Sequence, residues 1–274
     1  MPELPEVEVS RLGISPHLQG QQLTKVVARQ RQLRWWVPDE VLQQQQQPIL
    51  AVRRRAKYLL LDLPGGSIIL HLGMSGHLKV VPADLAPGKH DHLDLLFANG
   101  TALRLNDTRR FGAVLWQAQG EQHPLLAQLG PEPLTADFTA ETLIQACQRR
   151  GSAIKLVLMD NHVVVGVGNI YANEALFKAG INPQQPARDV SADKLALLCT
   201  IVKETLTAAI VQGGTTLRDF SQVDGKPGYF KQELLVYGRG GQPCVNCDTA
   251  LSEVRLGQRS TVFCPLCQPL LQKN

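Results

Sequence analysis

The sequence predicts an α+β protein of three segments: a β-rich N-terminal segment, a helical middle segment and a C-terminal hairpin flanked by paired cysteines. Three observations support this prediction. Apolar runs of strand length, separated by turn residues, fill most of the chain up to about residue 133. Helical patterns with capping residues follow. Near the C-terminus, two Cys-x-x-Cys pairs have the spacing of a zinc site.

The N-terminal segment is predicted to be mostly β-structure, preceded by one amphipathic helix over residues 5–18. The apolar run Tyr58–Leu63 is followed by a Pro-Gly-Gly turn and a further apolar run, which indicates a hairpin. A second hairpin is predicted around Asn99-Gly100, a dipeptide that favours positive φ at both residues. The Gly-Pro-Glu-Pro stretch at 130–133 predicts a rigid break and the first domain boundary.

After this break the pattern becomes helical. Ser152 is expected to cap the second helix and Ser191 the last one, which Gly213-Gly214 would end. Residues 214–230 are expected to form a long loop, and loops of this length often carry function. The predicted helices cover residues 139–149, 153–160, 170–179 and 192–212.

Two glycines, Gly166 and Gly168, join the second and third of these helices. They do not form a dinucleotide fingerprint, because the third glycine, the parallel sheet and the downstream acid are missing. Backbone N–H groups at the start of the following helix would bind a phosphate. Asn169 at this point either caps the helix or donates a hydrogen bond to that phosphate.

The two Cys-x-x-Cys pairs near the C-terminus are separated by sixteen residues. Four thiolates complete a tetrahedral shell with no open position, so one Zn²⁺ here would be structural. Two disulfides or free thiols are the alternative. The stretch between the pairs has the length of a hairpin and carries Arg255 and Arg259, which suit contact with phosphate groups. The predicted ligands are Cys244, Cys247, Cys264 and Cys267.

The composition limits the class of protein. The chain has 274 residues, a formal net charge of +4 and a pI of about 8.8, which permits binding to nucleic acid. Cations cluster at residues 53–57 and at Arg109-Arg110. The sequence contains no run of 18 apolar residues, so no membrane span is predicted. The N-terminus does not have the pattern of a secretory signal. The six cysteines do not fit a secreted disulfide framework, so a reducing cytoplasm is expected.

The start of the chain, Met1-Pro2-Glu3, contains a candidate nucleophile. Once Met1 is removed, Pro2 carries a free secondary amine, part of which is unprotonated near neutral pH. Attack of this amine on a sugar aldehyde carbon gives a cationic iminium, which serves as an electron sink. Glu3 is a neighbouring carboxylate that could transfer protons. An ordinary processed terminus is the alternative.

Taken together and in order, these stretches resemble the bacterial formamidopyrimidine-DNA glycosylases, repair enzymes that excise 8-oxoguanine and ring-opened purines. The resemblance extends over nearly the whole chain. Besides the zinc motif, it is carried by residues 1–8, 54–60, 71–76, 89–92, 109–112, 129–133, 159–161, 166–172, 213–217, 224–230 and 236–239.

The resemblance implies a multidomain α+β fold. It implies a catalytic β-sandwich with flanking helices over residues 1–133, a helix-two-turn-helix domain with a lesion-recognition loop over 134–230, and a zinc finger hairpin over 231–274. It further implies a monomer with one structural Zn²⁺ and no membrane association. The partner would be double-stranded DNA containing oxidised purines or abasic sites. The expected location is the cytoplasm of a bacterium, in association with the nucleoid.

The implied activity has two parts: removal of the oxidised base, then strand cleavage by β,δ-elimination through a Schiff base on Pro2. The resemblance makes Glu3 the proton donor that helps to open the sugar ring. Lys57 would assist β-elimination, although it could instead be one more phosphate-binding cation. Arg259 would serve δ-elimination and phosphate binding. The implied DNA-binding residues are His90, Arg109, Arg150 and Asn169, together with Met74, Arg109 and Phe111 as a wedge that fills the space left by the extruded base.

Two alternatives stay open at the level of sequence. The endonuclease VIII-type branch of the same superfamily acts on oxidised pyrimidines and shares Pro2 and Glu3, but the fuller start over residues 2–6 and the Arg-Arg-Phe-Gly wedge favour the purine-directed branch. A non-enzymatic DNA-binding protein is the alternative from another class, and the intact candidate catalytic residues argue against it. Thr108 departs from the family, which often has proline there, and this could loosen the turn that presents Arg109.

Overall fold

The computed structural model describes residues 2–213 and 234–271. The described residues fall into two compact units: the first contains residues 2–128 and 210–213, and the second contains residues 129–209 and 234–271. Met1, whose removal the proposed chemistry requires, and the predicted lesion-recognition loop over residues 214–230 lie outside the described residues. Within the described ranges, no helix is long and apolar enough to cross a membrane.

The first unit is built on two antiparallel sheets. Its strands are β1 Gln22–Ala28, β2 Gln47–Pro48, β3 Ala51–Arg55, β4 Tyr58–Leu63, β5 Gly66–His71, β6 His77–Pro82, β7 Asp91–Phe97, β8 Thr101–Asn106 and β9 Ala113–Ala118, and its helices are α1 Leu4–Leu18, α2 Asp39–Leu42 and α3 Pro124–Ala127. One sheet has the order β2-β1-β7-β8-β6 and the other β3-β4-β5-β9. Apolar side chains of both sheets and of α1 form one buried core. This confirms the expected β-sandwich with flanking helices.

Helix α1 corresponds to the helix expected over residues 5–18. Pro5 lies in its first turn, where a backbone N–H has no partner within the helix and a proline is tolerated. Its buried side chains recur about once per turn, so one stripe of the helix packs into the core. They include Val7, Ser10, Ile14 and Leu18.

Both expected hairpins are present, as β4–β5 and β7–β8. The expected turn in the second one was wrong: Gly100 has a φ of 80°, but Asn99 does not have a positive φ. The Asn99 side chain instead accepts the backbone N–H of Thr101 at 3.1 Å. The loop therefore has three residues and ends in a left-handed glycine, which is the next most common hairpin geometry. Two successive positive φ values occur instead at Gly257 and Gln258, 53° and 61°.

Sheet order in the first unit is reinforced by an ion triad around a buried carboxylate, formed by Arg29 directly after β1, Asp94 in β7 and Arg104 in β8. Asp94 is 3% exposed and accepts two hydrogen bonds each from Arg29 and Arg104, at distances of 2.7–3.0 Å. Burial opposes the charge of Asp94, but the hydrogen bonds from the two guanidinium groups outweigh it and lower the pKa of Asp94. The triad therefore stays ionised at neutral pH and fixes three neighbouring strands.

The second unit contains the expected helices and hairpin. Its elements are α4 Ala140–Cys147, α5 Ile154–Leu158, α6 Asn169–Ala179, a 3₁₀ turn Ala187–Asp189, α7 Ala192–Val211, β10 Ser252–Leu256 and β11 Arg259–Phe263. The Ser191 hydroxyl accepts the N–H of Lys194 at 3.4 Å, as expected for a cap of α7. The expected cap of α5 was wrong. That helix starts at Ile154 after Ala153, and the carbonyl of Ser152 accepts the N–H of Ala187 at 2.9 Å.

Candidate active site and DNA interface

Pro2 and Glu3 lie at the N-terminal end of α1 and are both buried, Glu3 with 2% of its surface exposed. The Glu6 carboxylate accepts the backbone N–H of Glu3 at 2.8 Å, and the Glu3 carbonyl accepts the N–H of Val7 at 3.1 Å. These bonds fix the backbone next to Pro2. Glu6 is fully buried and was not among the predicted site residues. The signal for it was an acidic residue three positions after the helix cap.

Lys57 lies in the turn between β3 and β4, after Ala56, which has a φ of 53°. Arg54 on β3 donates to the carbonyl of Ala56 at 3.0 Å and to the carboxylate of Glu8 at 2.9 Å. Glu8 belongs to α1, which begins directly after Glu3. Arg54 therefore connects the turn that carries Lys57 with the helix that follows the candidate nucleophile.

The ion pair between Glu8 and Arg54 is partly shielded from water. Burial works against the charge of Glu8, but hydrogen bonds from Arg11 and Arg54 outweigh it and lower the pKa of Glu8. The carboxylate therefore stays ionised at neutral pH, and the connection between α1 and the Lys57 turn is maintained.

His71 ends β5 and lies opposite Tyr58, with 4.9 Å between the ring centroids. Its Nδ1 accepts the N–H of Gly73 at 3.2 Å. Burial, followed by the positive charges of Arg34 and Lys57, lowers the pKa of His71 to about 4. The imidazole is therefore neutral at neutral pH, and because Nδ1 is an acceptor, Nε2 carries the proton.

The three predicted wedge residues lie on two loops of the first unit, residues 72–76 and 107–112, which we call the wedge loops. Arg109 and Phe111 are exposed, and the Arg109 guanidinium carbon lies 4.8 Å from the centroid of the Phe111 ring. Gly73, beside the half-buried Met74, has a φ of 62° and approaches the Phe111 carbonyl so closely that a Cβ would collide with it. The two loops are thus in direct backbone contact.

Asp107, which is fully buried, joins the wedge loops. Its Oδ1 accepts the hydroxyl of Ser75 at 2.7 Å, and its Oδ2 accepts the N–H of Gly112 at 2.8 Å. The Ser75 hydroxyl in turn accepts the backbone N–H of Arg109 at 3.0 Å. The N–H of Asp107 donates to the carbonyl of His90 at 3.0 Å. The predicted DNA-binding residues His90 and Arg109 are therefore attached to one buried carboxylate residue.

Asn169 is the first residue of α6, and Gly168 is its cap. Asn169 therefore does not cap α6, which was one of the two roles left open for it; the other is contact with a phosphate. Its Nδ2 donates to the carbonyl of Ser260 in β11 at 3.0 Å, which leaves one N–H of the amide for another acceptor. Contact with a phosphate stays a prediction.

Lys155 is a fully buried lysine that sequence reasoning missed. Its ammonium donates to the carbonyl of Ser260 at 2.9 Å and to the hydroxyl of Thr261 at 2.6 Å. Arg259, directly before them, is exposed, and its guanidinium makes no hydrogen bond or ion pair within residues 2–213 and 234–271. Helix α5 thus fixes the strand from which Arg259 projects. Nothing local in the sequence links residues more than a hundred positions apart.

Arg150 lies between α4 and α5 and forms an ion pair with Asp160 at 2.7 Å. Burial opposes the charge of Asp160, but the hydrogen bond from Arg150 outweighs it and lowers the pKa of Asp160. Both side chains are partly exposed, 40% for Arg150 and 28% for Asp160. This bond uses only one nitrogen of the guanidinium, so Arg150 can keep Asp160 as a partner and bind a phosphate as well. Its contact with DNA stays a prediction.

The four predicted zinc ligands lie together, with all sulfur atoms within 4.8 Å of one another. Cys244 and Cys267 are 3.9 Å apart, and Cys247 lies 3.5 Å from both Cys264 and Cys267. A tetrahedron with zinc–sulfur bonds of about 2.3 Å has edges of about 3.8 Å, so the thiolates fit one Zn²⁺. They form no disulfide, so the disulfide alternative is wrong. The site is a closed, structural zinc site.

Three family descriptions match consecutive parts of the chain. "Formamidopyrimidine-DNA glycosylase N-terminal domain" matches residues 1–114, and "Formamidopyrimidine-DNA glycosylase H2TH domain" matches residues 129–221. "Zinc finger found in FPG and IleRS" matches residues 241–270. The expected helix-two-turn-helix domain and zinc finger are therefore present in the chain.

Individual proteins agree with these matches. The chain is 60% identical over 268 residues to the formamidopyrimidine-DNA glycosylase of Photobacterium damsela subsp. piscicida, covering 98% of this chain and 100% of that one. It resembles a Lactococcus lactis FPG mutant in complex with Fapy-dG-containing DNA, with 30% identity, a TM-score of 0.91 and coverage of 98% and 100%. A MutM protein in complex with carbocyclic 8-oxo-G-containing DNA has 30% identity, a TM-score of 0.90 and the same coverage. This chain belongs to the formamidopyrimidine-DNA glycosylase family.

Proposed function

We propose that the protein removes oxidised purines, 8-oxoguanine and formamidopyrimidines, from double-stranded DNA and then cleaves the strand at the abasic site. The observation that carries this proposal is the start of α1, where Pro2 and Glu3 are buried and Glu6 fixes the backbone between them. The lesion-containing DNA bound by two structural neighbours supports the same substrate class. We place the protein in the bacterial cytoplasm, acting at the nucleoid as a monomer.

Base removal begins when the Pro2 amine, free after loss of Met1, attacks C1′ of the damaged nucleotide. The bond between C1′ and the base breaks, and the base leaves with the bonding electrons and takes up a proton. Glu3 donates a proton to the sugar oxygen as the ring opens. The product is an iminium between Pro2 and C1′, which withdraws electrons from the neighbouring carbon.

Strand cleavage follows from this iminium. Loss of a proton from C2′ expels the 3′ phosphate, a step that Lys57 assists. A second elimination expels the 5′ phosphate with the help of Arg259. Water then adds to the remaining iminium, and hydrolysis releases the sugar fragment as an aldehyde and frees the Pro2 amine for another cycle.

The other predicted residues hold the DNA. His90, Arg109, Arg150 and Asn169 contact the strand, and Met74, Arg109 and Phe111 fill the space left by the extruded nucleotide. Bound Zn²⁺ supplies structure only, because four thiolates leave no coordination position for substrate. We propose that these roles are divided as the resemblance implies, between a sandwich over residues 1–133, a helical domain over 134–230 and a zinc finger over 231–274.

Covalent trapping tests the proposal. Borohydride reduces an iminium to a stable amine, so the protein should become attached to a duplex containing 8-oxoguanine or an abasic site. A matched sample that retains Met1 has a tertiary amide at Pro2 and should give no trapped complex. The N-terminal state of each sample is read by intact mass. Equal trapping by fully Met1-retaining protein would show that Pro2 is not the nucleophile.

A further inference from the structure

A loop over residues 31–36 of the first unit exposes two adjacent tryptophans. Trp35 is 37% exposed and Trp36 is 56% exposed. Each indole is stacked against an arginine: the guanidinium carbon of Arg34 lies 4.6 Å from the Trp35 ring centroid, and that of Arg31 lies 4.9 Å from the Trp36 ring centroid. Contiguous exposed aromatic surface with a polar partner is typical of interaction sites.

This loop is attached to one of the wedge loops. The backbone N–H of Arg34 donates to the carbonyl of Gly112 at 3.0 Å, and the neighbouring Leu33 is buried in the core. The positive charge of Arg34 acts on both His71 and Tyr58. The Arg34 guanidinium therefore lies near the residues that surround Lys57, in the same unit.

The two arginines of the loop differ in their partners. Arg31 donates to the carboxylate of Asp39 at 2.6 Å and to the carbonyl of Val37 at 2.7 Å. The Arg34 guanidinium makes no hydrogen bond or ion pair in the part of the chain that the structure describes. Arg31 is thus neutralised by its own chain, whereas Arg34 presents an uncompensated positive charge over an exposed indole.

We propose that Arg34 and Trp35 form a further DNA-binding contact beside the wedge. Arg34 binds a backbone phosphate, and the Trp35 indole packs against the adjoining nucleotide. Two observations select DNA as the occupant: the charge complements a polyanion, and the loop continues a surface that already carries the wedge residues. Aromatic and guanidinium groups side by side bind successive nucleotides without sequence preference. The inference rests on the proposed function, because that function supplies the DNA.

Salt dependence of binding tests the phosphate contact. A protein that loses one phosphate contact has a slope of log K against log salt that is smaller by about 0.9. Arg34→Ala should show this change on a duplex with a non-cleavable tetrahydrofuran abasic analogue, with affinity lower by about tenfold. Arg34→Lys should recover the slope. Arg31→Ala is the matched control, since Arg31 already has a carboxylate partner, and its slope should equal that of the wild type. An unchanged slope in Arg34→Ala would overturn the contact.

Tryptophan fluorescence tests the indole contact. The chain contains three tryptophans, and the third, Trp116, packs against the core. A Trp36→Phe, Trp116→Phe protein reports on Trp35 alone, and a Trp35→Phe, Trp36→Phe protein reports on Trp116 alone. Binding of the same duplex should protect Trp35 from acrylamide at least twofold more than Trp116. Equal protection of the two would overturn the role of Trp35.

Failure of this contact can be separated from failure of the proposed function. Wild-type protein that gives no borohydride-trapped complex refutes the proposed function itself. Normal trapping together with an unchanged salt slope in Arg34→Ala and an unprotected Trp35 refutes only the contact. If the loop bound a peptide instead of DNA, trapping would be normal, the salt slope of Arg34→Ala would be unchanged, and Trp35 would be protected by the peptide and not by DNA.

Discussion

Glu3 is a carboxylate that is almost completely buried beside the candidate nucleophile, on a backbone held by Glu6 at 2.8 Å. A proton donor in this position acts while the glycosidic bond breaks and the sugar ring opens. An abasic substrate has already lost its base and can present an open aldehyde. The two substrates therefore depend on Glu3 to different extents.

Glu3→Gln should separate the two activities. The amide keeps the shape of the side chain and removes the transferable proton. We expect excision of 8-oxoguanine to fall by about 10²–10⁴-fold, the usual contribution of general acid catalysis. Nicking of an abasic duplex should persist. Single-turnover assays on both duplexes measure the difference. Equal loss of both activities with intact binding would contradict the assignment of Glu3 to base removal.

His71 makes stability depend on pH. Its pKa is about 4 in the folded protein and 6.5 as the ordinary value. Between these values the unfolded chain binds a proton that the folded chain does not, so the contribution of neutral His71 is complete above pH 6.5. It is lost as the pH falls towards 4. The difference between the two pKa values corresponds to a loss of about 3 kcal/mol of unfolding free energy.

His71→Asn should therefore flatten the fall of the unfolding free energy between pH 7 and pH 4. Urea unfolding at a series of pH values measures the unfolding free energy of each protein. Subtracting the variant's values from those of the wild type removes the contributions of the other titrating groups. His17→Asn, at an exposed histidine of α1, is the control and should follow the wild type. Parallel curves for wild type and His71→Asn would show that His71 does not carry this dependence.

At the scale of elements, the wedge depends on bonds between two loops. Thr108 stands where the family often has proline, but the next residue, Arg109, is held by the Ser75 hydroxyl at 3.0 Å, and Ser75 is held by Asp107 at 2.7 Å. These bonds fix the Arg109 backbone by contact with a different loop. The orientation of the wedge is therefore a property of the pair of loops.

Ser75→Ala should weaken binding to a lesion duplex because it releases the Arg109 backbone. We expect about a tenfold loss, comparable to one charge-assisted hydrogen bond. Since Ser75 acts through Arg109, adding Arg109→Ala should cause little further loss. Ser67→Ala is the matched control, because it removes a similar bond to Asp62 at 2.7 Å away from the wedge. Equilibrium binding of Ser75→Ala, Arg109→Ala, the double variant and Ser67→Ala measures the coupling. Fully additive losses would contradict it.

At the scale of the whole molecule, the zinc site connects metal binding to DNA binding. The closed thiolate shell lies next to the strand that carries Arg259, and Lys155 and Asn169 hold that strand against α5 and α6. Much of the folding free energy of a small zinc module comes from the metal. Loss of zinc should therefore displace Arg259.

Cys264→Ser should lose zinc, and DNA affinity and strand cleavage should fall together. Metal content, binding and cleavage are measured on the same preparation. Cys199→Ser, at a thiol of α7 outside the cluster, should retain all three. Metal-free Cys264→Ser protein with normal DNA affinity would refute the coupling.

The sequence by itself determined the features that depend on neighbours along the chain. The cysteine spacing predicted the zinc ligands, the Pro-Gly-Gly turn predicted the β4–β5 hairpin, and Ser191 predicted the start of α7. Each signal acts within a few residues, where backbone geometry limits the possible conformations. The family motifs added the candidate site residues.

The tertiary structure decided what depends on distant segments. Ser75 and Asp107 are 32 positions apart, and Lys155 and Thr261 are 106 positions apart. The contact of Arg34 with Gly112 and the carboxylate partner of Arg150 also come from packing. Even Ser152 does not have its expected capping role: α5 begins after Ala153, and the Ser152 carbonyl accepts the N–H of the distant Ala187. Local patterns cannot select such partners, since the energy of a buried hydrogen bond depends on what the folded chain places beside it.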